Sequence, residues 1–174
     1  MILKAALAAS IVVSLVGCAT KDVSEYHDEK PPLDLARYFN GTIDGWGMFQ
    51  DRSGKVVKRF YVRIDAKWDG NRGTLDEKFE YADGEKQNRV WTLVKDGNRY
   101  TGTAADVVGA AQGEAQGNAL HWNYVLALPV DGRVWHMDMD DWMYLIDENT
   151  MLNRTTMTKF GFRVGEVTLS FRRR

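Results

Sequence analysis

The chain has 174 residues, of which 44% are hydrophobic and 27% are charged, a balance typical of one folded globular domain. Its 23 basic and 24 acidic residues give a formal net charge of −1, which argues against the basic excess that general nucleic-acid binding requires. The single cysteine excludes an internal disulfide and any zinc or iron–sulfur site built from several cysteines.

The N-terminal residues have the features of a signal peptide. Lys4 gives a positive start, and residues 5–16 form an apolar run of signal-peptide length, shorter than the ~20 residues of a membrane-spanning helix. The run ends at Gly17 and Cys18, and a small residue before the only cysteine resembles the lipobox of bacterial lipoproteins. The alternative is a buried structural cysteine in an N-terminal helix. We predict a signal peptide over residues 1–17 and lipid modification of Cys18.

The lipobox resemblance implies where the protein is located. Lipoproteins of this type face the periplasm in the Gram-negative cell envelope and are held to a membrane by acyl chains on the cysteine. Ala19 follows Cys18 at the place where an aspartate resembles an inner-membrane retention signal, so the outer membrane is favoured. Residues 18–32 then form a lipidated tether, in which Pro31 and Pro32 favour extended backbone.

From residue 41 onward, the apolar residues alternate with a period of two, which is typical of strands with one buried face. Leu120, Trp122 and Tyr124 share one face of such a run, and Val167 and Leu169 repeat the pattern. Glycines paired with Asp, Asn or Ser separate the runs and supply the positive φ angles of tight hairpins. Strands are predicted over residues 42–51, 55–68, 73–82, 86–96, 99–104, 112–116, 119–130, 133–147, 150–159 and 164–172.

Ten short strands joined by hairpins predict an antiparallel meander. A meander of this length either closes into a barrel or divides into two packed sheets, because open edges promote aggregation. We predict an all-β domain over residues 33–174 that closes into a β-barrel of about 8–10 strands. A short helix over residues 33–39 is expected to plug one end, and the small residues 104–111 are expected to form a helical turn or a loop.

The chain is rich in aromatic residues, with six tryptophans, seven tyrosines and seven phenylalanines. Aromatic side chains fill the cores of β proteins, and they also line the ligand cavities of eight-stranded and larger barrels. Both interpretations stay open at the level of the sequence. The candidate ligand-binding aromatics are Trp46, Trp68, Trp91, Trp122, Tyr124 and Trp142.

The predicted eighth strand carries a polar face that adds His136, Asp138 and Asp140 to the candidate ligand-binding residues. Its other face is mostly apolar and is the better candidate for a dry core, so the polar face is either exposed to solvent or a stripe in a lumen. With His121, the pair His136 and Asp138 resembles a metal site, but ion pairs with arginines of neighbouring strands are favoured. Asp138 and Asp140 also have the ~6.5–7 Å spacing of glycosidase carboxylates, although adjacent acids are common on exposed strands.

No catalytic sequence motif is present. The chain contains no Gly-x-Ser-x-Gly nucleophile elbow, no Gly-x-Gly-x-x-Gly loop and no Walker loop. The sequence therefore assigns no catalytic residue, no cofactor and no metal, and an enzymatic activity is not favoured.

Several short segments together resemble one protein family. The segments are residues 39–41 (FNG), 45–47 (GWG), 49–54 (FQDRSG), 83–84 (DG), 89–91 (RVW), 117–120 (GNAL), 126–132 (LALPVDG), 140–143 (DDWM), 153–154 (NR) and 159–162 (KFGF). From residue 33 to the C-terminus, the chain resembles the DUF3833 lipoproteins of Gram-negative bacteria. The resemblance implies a lipocalin-like (calycin) barrel, whose first strand often carries Gly-x-Trp, whereas Gly45 and Trp46 are adjacent here. It also implies that the gene lies beside genes for enzymes that modify membrane fatty acids.

These observations lead to one leading functional hypothesis. We expect a lipid-anchored β-barrel of the cell envelope that binds an apolar or amphipathic small molecule, such as a fatty acid or a membrane lipid. Its expected partners are the membrane, through Cys18, and that ligand, with no nucleic acid. Two alternatives stay open: a structural lipoprotein that docks an envelope protein partner through an exposed aromatic surface, and an enzyme or accessory subunit in membrane fatty-acid modification.

Overall fold

The computed structural model describes residues 21–174, so the predicted signal peptide and Cys18 lie outside the described residues. A 3-10 turn (Val23–Tyr26) and one turn of helix, α1 (Leu35–Tyr38), precede ten strands. The strands are β1 (Gly41–Asp51), β2 (Val56–Asp69), β3 (Arg72–Tyr81), β4 (Lys86–Asp96), β5 (Arg99–Thr103), β6 (Val107–Gln116), β7 (Ala119–Val130), β8 (Arg133–Leu145), β9 (Thr150–Lys159) and β10 (Phe162–Arg173). From residue 21 to the end, no helix has the length and apolar character needed to cross a membrane.

The strands form one closed antiparallel barrel. Each strand pairs with its neighbours in sequence, and β1 pairs with β10 to close the barrel. The predicted all-β fold is confirmed. The expectation of a helical turn or loop over residues 104–111 is wrong for most of that segment, because β6 begins at Val107. Gly109 has φ +72 and the register with β7 shifts between Val108 and Gln112, so the small residues form a bulge instead.

The apolar face of each alternating strand points into the barrel. Val62, Ile64 and Leu120 are buried there, as their spacing in the sequence predicts. Where a large ring crosses a neighbouring strand, the facing residue is a glycine. A Cβ at Gly113 of β6 would lie 2.1 Å from the ring of Trp122 on β7, so any larger residue would displace that ring. The barrel interior is therefore shaped by aromatic rings packed across glycines.

Residues 33–39 close one end of the barrel, and we call them the plug. Asp34 begins α1 by accepting a backbone hydrogen bond from the first turn at 2.9 Å, and its other carboxylate oxygen lies 2.6 Å from Lys95 Nζ. Trp68 Nε1 donates to the carbonyl oxygen of Phe39 at 3.0 Å. The predicted N-terminal helix is present only as the four residues of α1, and the apolar side chains of the plug are buried.

The segment that precedes the plug packs on the outer wall of the barrel. Val23 is buried against Trp142, and the ring of Tyr26 lies 6.1 Å from the Trp142 ring. Gly117, in the β6–β7 turn, has φ +51, and an added Cβ would lie only 1.6 Å from the carbonyl oxygen of Tyr26. Over its described part, the expected tether is thus a folded component of the barrel surface.

Candidate ligand-binding cavity

The barrel encloses a cavity of about 960 Å³ that opens at the end opposite the plug. Ligand pockets in proteins commonly measure ~300–1,000 Å³, so this cavity is at the large end of the range and can hold a whole small organic molecule. The walls are mainly aliphatic and aromatic. Representative lining residues are Phe39, Phe60, Phe79, Trp91, Leu93, Leu120, Trp122, Leu126, Leu128, Met139, Met157 and Phe171.

A group of polar side chains crosses this apolar cavity near mid-height, and we call it the polar band. Its members are Glu77 of β3, Arg89 of β4, Asp106 before β6, Tyr124 of β7, Asp141 of β8, and Asn153 and Thr155 of β9. Burying polar groups in apolar surroundings is unfavourable unless they pair with one another or with a ligand. The band is therefore the part of the cavity that can distinguish one ligand from another.

On one side of the band, two carboxyl groups surround Arg89. Its Nε and Nη2 donate to the carboxylate of Asp106 at 3.0 and 2.7 Å, which is a bidentate ion pair. Its Nη1 lies 3.7 Å from Glu77 Oε2. Burial raises the pKa of Glu77 to about 7, even though Arg89 acts in the opposite direction. At neutral pH, the guanidinium is therefore already paired, and Glu77 is present in both protonation states.

Asp141 lies across the cavity from this ion pair. Its carboxyl accepts a hydrogen bond from Asn153 Nδ2. Burial raises the pKa of Asp141 to about 7, against the effect of hydrogen bonds from Asn153 and Thr155. Burial also raises the pKa of the Tyr124 phenol, which stays protonated. Because a carboxyl with a pKa near 7 both donates and accepts hydrogen bonds, this side of the band can meet an uncharged polar group.

The charges along the cavity wall are predominantly acidic. The lining carboxyl groups are those of Glu77, Glu85, Asp106, Asp131 and Asp141, and the lining cations are Lys58, Lys86 and Arg89. At the mouth, Lys58 forms an ion pair with Glu85. The cation of the band is held by Asp106, and the lysines lie at the rim, so the interior offers a bound ligand no unpaired positive charge from these residues.

Three of the predicted ligand-binding residues line the cavity together. The ring centroids of Trp91 and Trp122 are 5.9 Å apart, and those of Trp91 and Tyr124 are 5.5 Å apart, both in edge-to-face geometry. Trp68 is also directed inward, but it packs at the closed end against Phe39 of the plug. The structure therefore brings together one aromatic cluster from β4 and β7 beside the polar band.

The other candidates lie on the outer face of the barrel, namely Trp46, His136, Asp138, Asp140 and Trp142. The structure corrects the lumenal position that we expected for Trp46, Trp142 and His136. For Asp138 and Asp140 the sequence left solvent and lumen both open, and the structure gives the outer face, because the alternate residues of β8 occupy the interior. Trp46 is 53% exposed and packs on Tyr61. Asp140 lies 2.5 Å from His121 Nε2, and the ring of Trp142 stacks on His121 at 4.2 Å.

The residues considered for a metal site are distributed along the outer wall. His121 contacts Asp140, whereas His136 pairs in register with Ala127, closer to the open end. Among the residues that the structure describes, no group of three or more His, Cys, Asp or Glu side chains could hold a metal ion.

Sequence reasoning misses most of the polar band. One signal was available in β8, where Asp141 interrupts the apolar face formed by Met139 and Met143. A charged residue at an inward position of a barrel strand is unusual enough to indicate a polar site in the interior. Glu77 and Arg89 have no such signal, because both belong to strands with many charged residues on either side.

A family model described as a protein of unknown function, DUF3833, matches residues 12–173. The chain belongs to the DUF3833 family. This finding confirms the resemblance carried by the short segments of the sequence. Among curated proteins, none is significantly similar in sequence to this DUF3833 chain.

Two solved structures share the fold of the DUF3833 barrel. A DUF3598-family protein of unknown function from Nostoc punctiforme PCC 73102 superposes with a TM-score of 0.59 at 12% identity, over 84% of this chain and 51% of that protein. The S-type phycobiliprotein lyase from Guillardia theta superposes with a TM-score of 0.58 at 10% identity, over 88% and 99% of the two chains. The DUF3833 chain thus spans about half the length of the DUF3598 protein. At these identities the similarity shows the fold alone.

Proposed function

We propose that this DUF3833 protein binds an amphipathic small molecule inside the barrel, with membrane lipids as the favoured class. The observation that carries the proposal is the open cavity of about 960 Å³ with apolar walls and a polar band at mid-height. A core that only stabilised the fold would be close-packed, because empty volume in a protein interior is destabilising. The fold shared with a phycobiliprotein lyase is consistent with small-molecule binding.

The charges of the polar band favour a ligand with a neutral or cationic polar group. Arg89 already forms a bidentate pair with Asp106, so a ligand carboxylate would have to compete for it. Ionised Glu77 and Asp141 would repel a carboxylate in surroundings of low dielectric constant. A hydroxyl or amine group could instead donate hydrogen bonds to these carboxyls. Of the two ligand classes predicted from the sequence, a membrane lipid with such groups therefore fits better than a free fatty acid.

The first experiment identifies what the native protein carries. The chain is purified from membranes in mild detergent, and the bound lipids are extracted and analysed by mass spectrometry beside a control lipoprotein. We expect a stoichiometric lipid other than the Cys18 modification, enriched over the control. A cavity that contains only detergent and the lipid background of the control would contradict the proposal.

A second experiment tests the polar group of the ligand. Palmitate, hexadecanol and hexadecylamine, which share one chain length, compete with a fluorescent probe for the cavity at pH 8. We expect the alcohol and the amine to bind at least tenfold more tightly than palmitate. Asp141→Asn is expected to reduce this preference, whereas Asp138→Asn, the same substitution on the outer face of β8, leaves it unchanged. Tighter binding of palmitate would overturn the assignment of the polar group.

We also propose that the protein is a lipoprotein of the cell envelope that faces the periplasm, anchored through Cys18 and favouring the outer membrane. The pattern of Gly17, Cys18 and Ala19 after an apolar run supports this proposal. Labelling of cells with radioactive palmitate should mark the wild-type chain and not Cys18→Ser. Separation of the two membranes on a sucrose gradient then tests the outer-membrane assignment, which a wild-type chain found in the inner membrane would contradict.

A further inference from the structure

The β7–β8 hairpin projects beyond the rim at the open end of the barrel. The ladder between β6 and β7 ends at Leu126, and the ladder between β8 and β9 begins at Asp138. Residues 128–135 therefore pair only with one another across the hairpin. At ~3.3 Å per residue, this ribbon extends roughly 10 Å past the rim. A two-stranded ribbon without further partners is marginally stable in water, so a contact surface would stabilise it.

Large apolar side chains are exposed at the same end, and we call them the apolar collar. Its members are Val56 and Val57 of β2, Val130, Val134 and Trp135 of the β7–β8 hairpin, and Phe160 and Phe162 of the β9–β10 hairpin. The β1–β2, β9–β10 and β7–β8 hairpins are neighbours around the barrel, so the collar occupies one side of the rim. Phe160 and Phe162 are 78% and 76% exposed. Exposed large apolar side chains gathered at one rim of a barrel indicate an interaction site.

Phe160 combines solvent exposure with an unfavourable backbone conformation. Its φ is +51, and Gly161 follows with φ +78, the arrangement of a tight hairpin turn that favours Asn, Asp or Gly at both positions. A bulky residue at positive φ is an outlier. Exposure of a large apolar ring and a positive φ are two separate costs to the stability of the fold. Their coincidence at Phe160 indicates that this residue serves an interaction rather than folding.

The charges beside the collar identify the partner. Residues 130–135 and 159–163 contain the cations Arg133, Lys159 and Arg163 and a single acid, Asp131. Exposed aromatic side chains flanked by cations are typical of segments that insert into the head-group region of a bilayer. We propose that the apolar collar docks on a lipid bilayer that contains anionic head groups, with the mouth of the cavity directed at the membrane.

The interior of the hairpin joins the collar to the cavity. Leu126, Leu128 and Val130 line the cavity in succession up to the projecting tip. The apolar wall is therefore continuous from the polar band to the collar. A lipid that leaves the bilayer at the collar can enter the barrel without crossing water, so docking accounts for access to the cavity as well as for exposure of the collar.

The test measures the depth of the collar in a membrane. The full chain is reconstituted into vesicles of phosphatidylethanolamine and phosphatidylglycerol, with a nitroxide label at Phe160→Cys or, as a control at the plugged end, at Arg99→Cys. Wild type treated with the same reagent gives the background from Cys18. We expect the label at position 160 to collide with oxygen and to be protected from a water-soluble nickel complex, and the label at position 99 to show the reverse. A label at position 160 that is as accessible to nickel as that at position 99 would overturn the proposal.

A second measurement separates docking from ligand binding. The variant with Phe160→Asp and Phe162→Asp should fold normally, because both side chains are exposed. We expect it to take up a fluorescent lipid from vesicles at least tenfold more slowly than Val90→Asp, which adds one carboxylate on the outer wall of β4. Both variants should bind a probe added in detergent with the same affinity. Equal uptake rates in the two variants would overturn docking. If neither the variants nor wild type bound the probe in detergent, the proposed function would be overturned instead.

Discussion

The chemistry of the cavity depends on a few buried polar residues whose protonation differs from that in water. Arg89 is neutralised by Asp106, and burial raises the pKa of both Glu77 and Asp141 to about 7. Such groups are stabilised chiefly by their neighbours, because the surrounding walls are apolar. Single substitutions in the band are therefore expected to change stability and ligand selectivity together.

Removal of the buried cation should be strongly destabilising in a pH-dependent manner. Arg89→Met leaves the carboxyls of Glu77 and Asp106 without their partner, and loss of one member of a buried ion pair costs about 3–5 kcal/mol. We expect this loss in the free energy of unfolding at pH 8, and a smaller loss at pH 5.5, where Glu77 is protonated. Urea unfolding followed by tryptophan fluorescence measures both values. Arg99→Met, an exposed position at the start of β5, is the control. An equal loss at the two pH values would contradict the interpretation.

The raised pKa of Asp141 predicts the direction of the pH dependence. The folded state has a pKa of about 7 for this carboxyl, above the ~3.9 of an unfolded chain, so the folded state binds more protons between these values. The free energy of unfolding should therefore fall as the pH rises from about 4 through 7. Asp141→Asn should be more stable than wild type at pH 8 by up to about 4 kcal/mol, with a shallower pH dependence.

The control for this prediction is Asp138→Asn, the same change on the outer face of β8. It should reproduce the pH dependence of wild type in thermal unfolding between pH 4 and 8. If Asp141→Asn and Asp138→Asn gave the same curve, burial of the Asp141 carboxyl would not be the cause of the pH dependence.

Among the elements, the N-terminal segment before the plug differs most from its predicted structure, which is a solvated tether. Its composition is polar and ends in two prolines, which favours a solvated extended chain. The structure instead packs Val23 and Tyr26 on the outer wall, where the β6–β7 turn receives them at Gly117. A few apolar residues are sufficient, because the barrel presents Trp142 and Tyr144 on that wall.

A matched pair of glycine substitutions tests this packing. Gly117→Ala and Gly97→Ala lie in turns at the same end of the barrel with φ of +51 and +61, so each places alanine in an unfavourable conformation at about 1–2 kcal/mol. Only at Gly117 does the new Cβ meet the backbone of Tyr26, whereas open space surrounds Gly97. Hydrogen exchange of amides 23–29 should accelerate at least tenfold in Gly117→Ala alone. Equal protection in the two variants would show that the segment adapts without detaching.

At the scale of the whole molecule, the closed barrel both stabilises the strands and creates the cavity. Pairing of β1 with β10 leaves no open edge in the sheet, and ten strands enclose more volume than their inward side chains fill. The plug seals one end, so a ligand can enter only through the other end. The size and accessibility of the cavity are thus properties of the complete barrel.

A substitution that fills the cavity distinguishes a binding site from a packed core. Met139→Trp adds a large side chain beside the polar band, where the cavity has room for it. We expect ligand affinity in the probe-displacement assay to fall at least tenfold, and the free energy of unfolding to change by less than about 1 kcal/mol. In a close-packed core the same change would destabilise the fold by about 1–3 kcal/mol and leave probe binding unaffected, which would contradict the presence of a binding cavity.

The sequence by itself determined most of the strands and their turns, and the apolar face of each strand in which polar and apolar residues alternate regularly. Alternation such as Leu120, Trp122 and Tyr124 identifies a face because successive side chains of a strand point in opposite directions. Glycine pairs such as Asp131-Gly132 mark the hairpins because those residues adopt positive φ at low cost. Both signals come from residues adjacent in the chain, so they require no knowledge of the fold.

Only the tertiary structure decided which polar residues face the cavity and what they contact. The polar face of β8 was compatible with a lumenal stripe as well as with solvent, and closure of the barrel placed Asp141 inside and His136 outside. The polar band joins Glu77, Arg89 and Asp141 from strands on opposite sides of the barrel. Periodicity along one strand carries no information about such contacts, because they depend on strand order, register and closure, which are set by pairing between residues far apart in the chain.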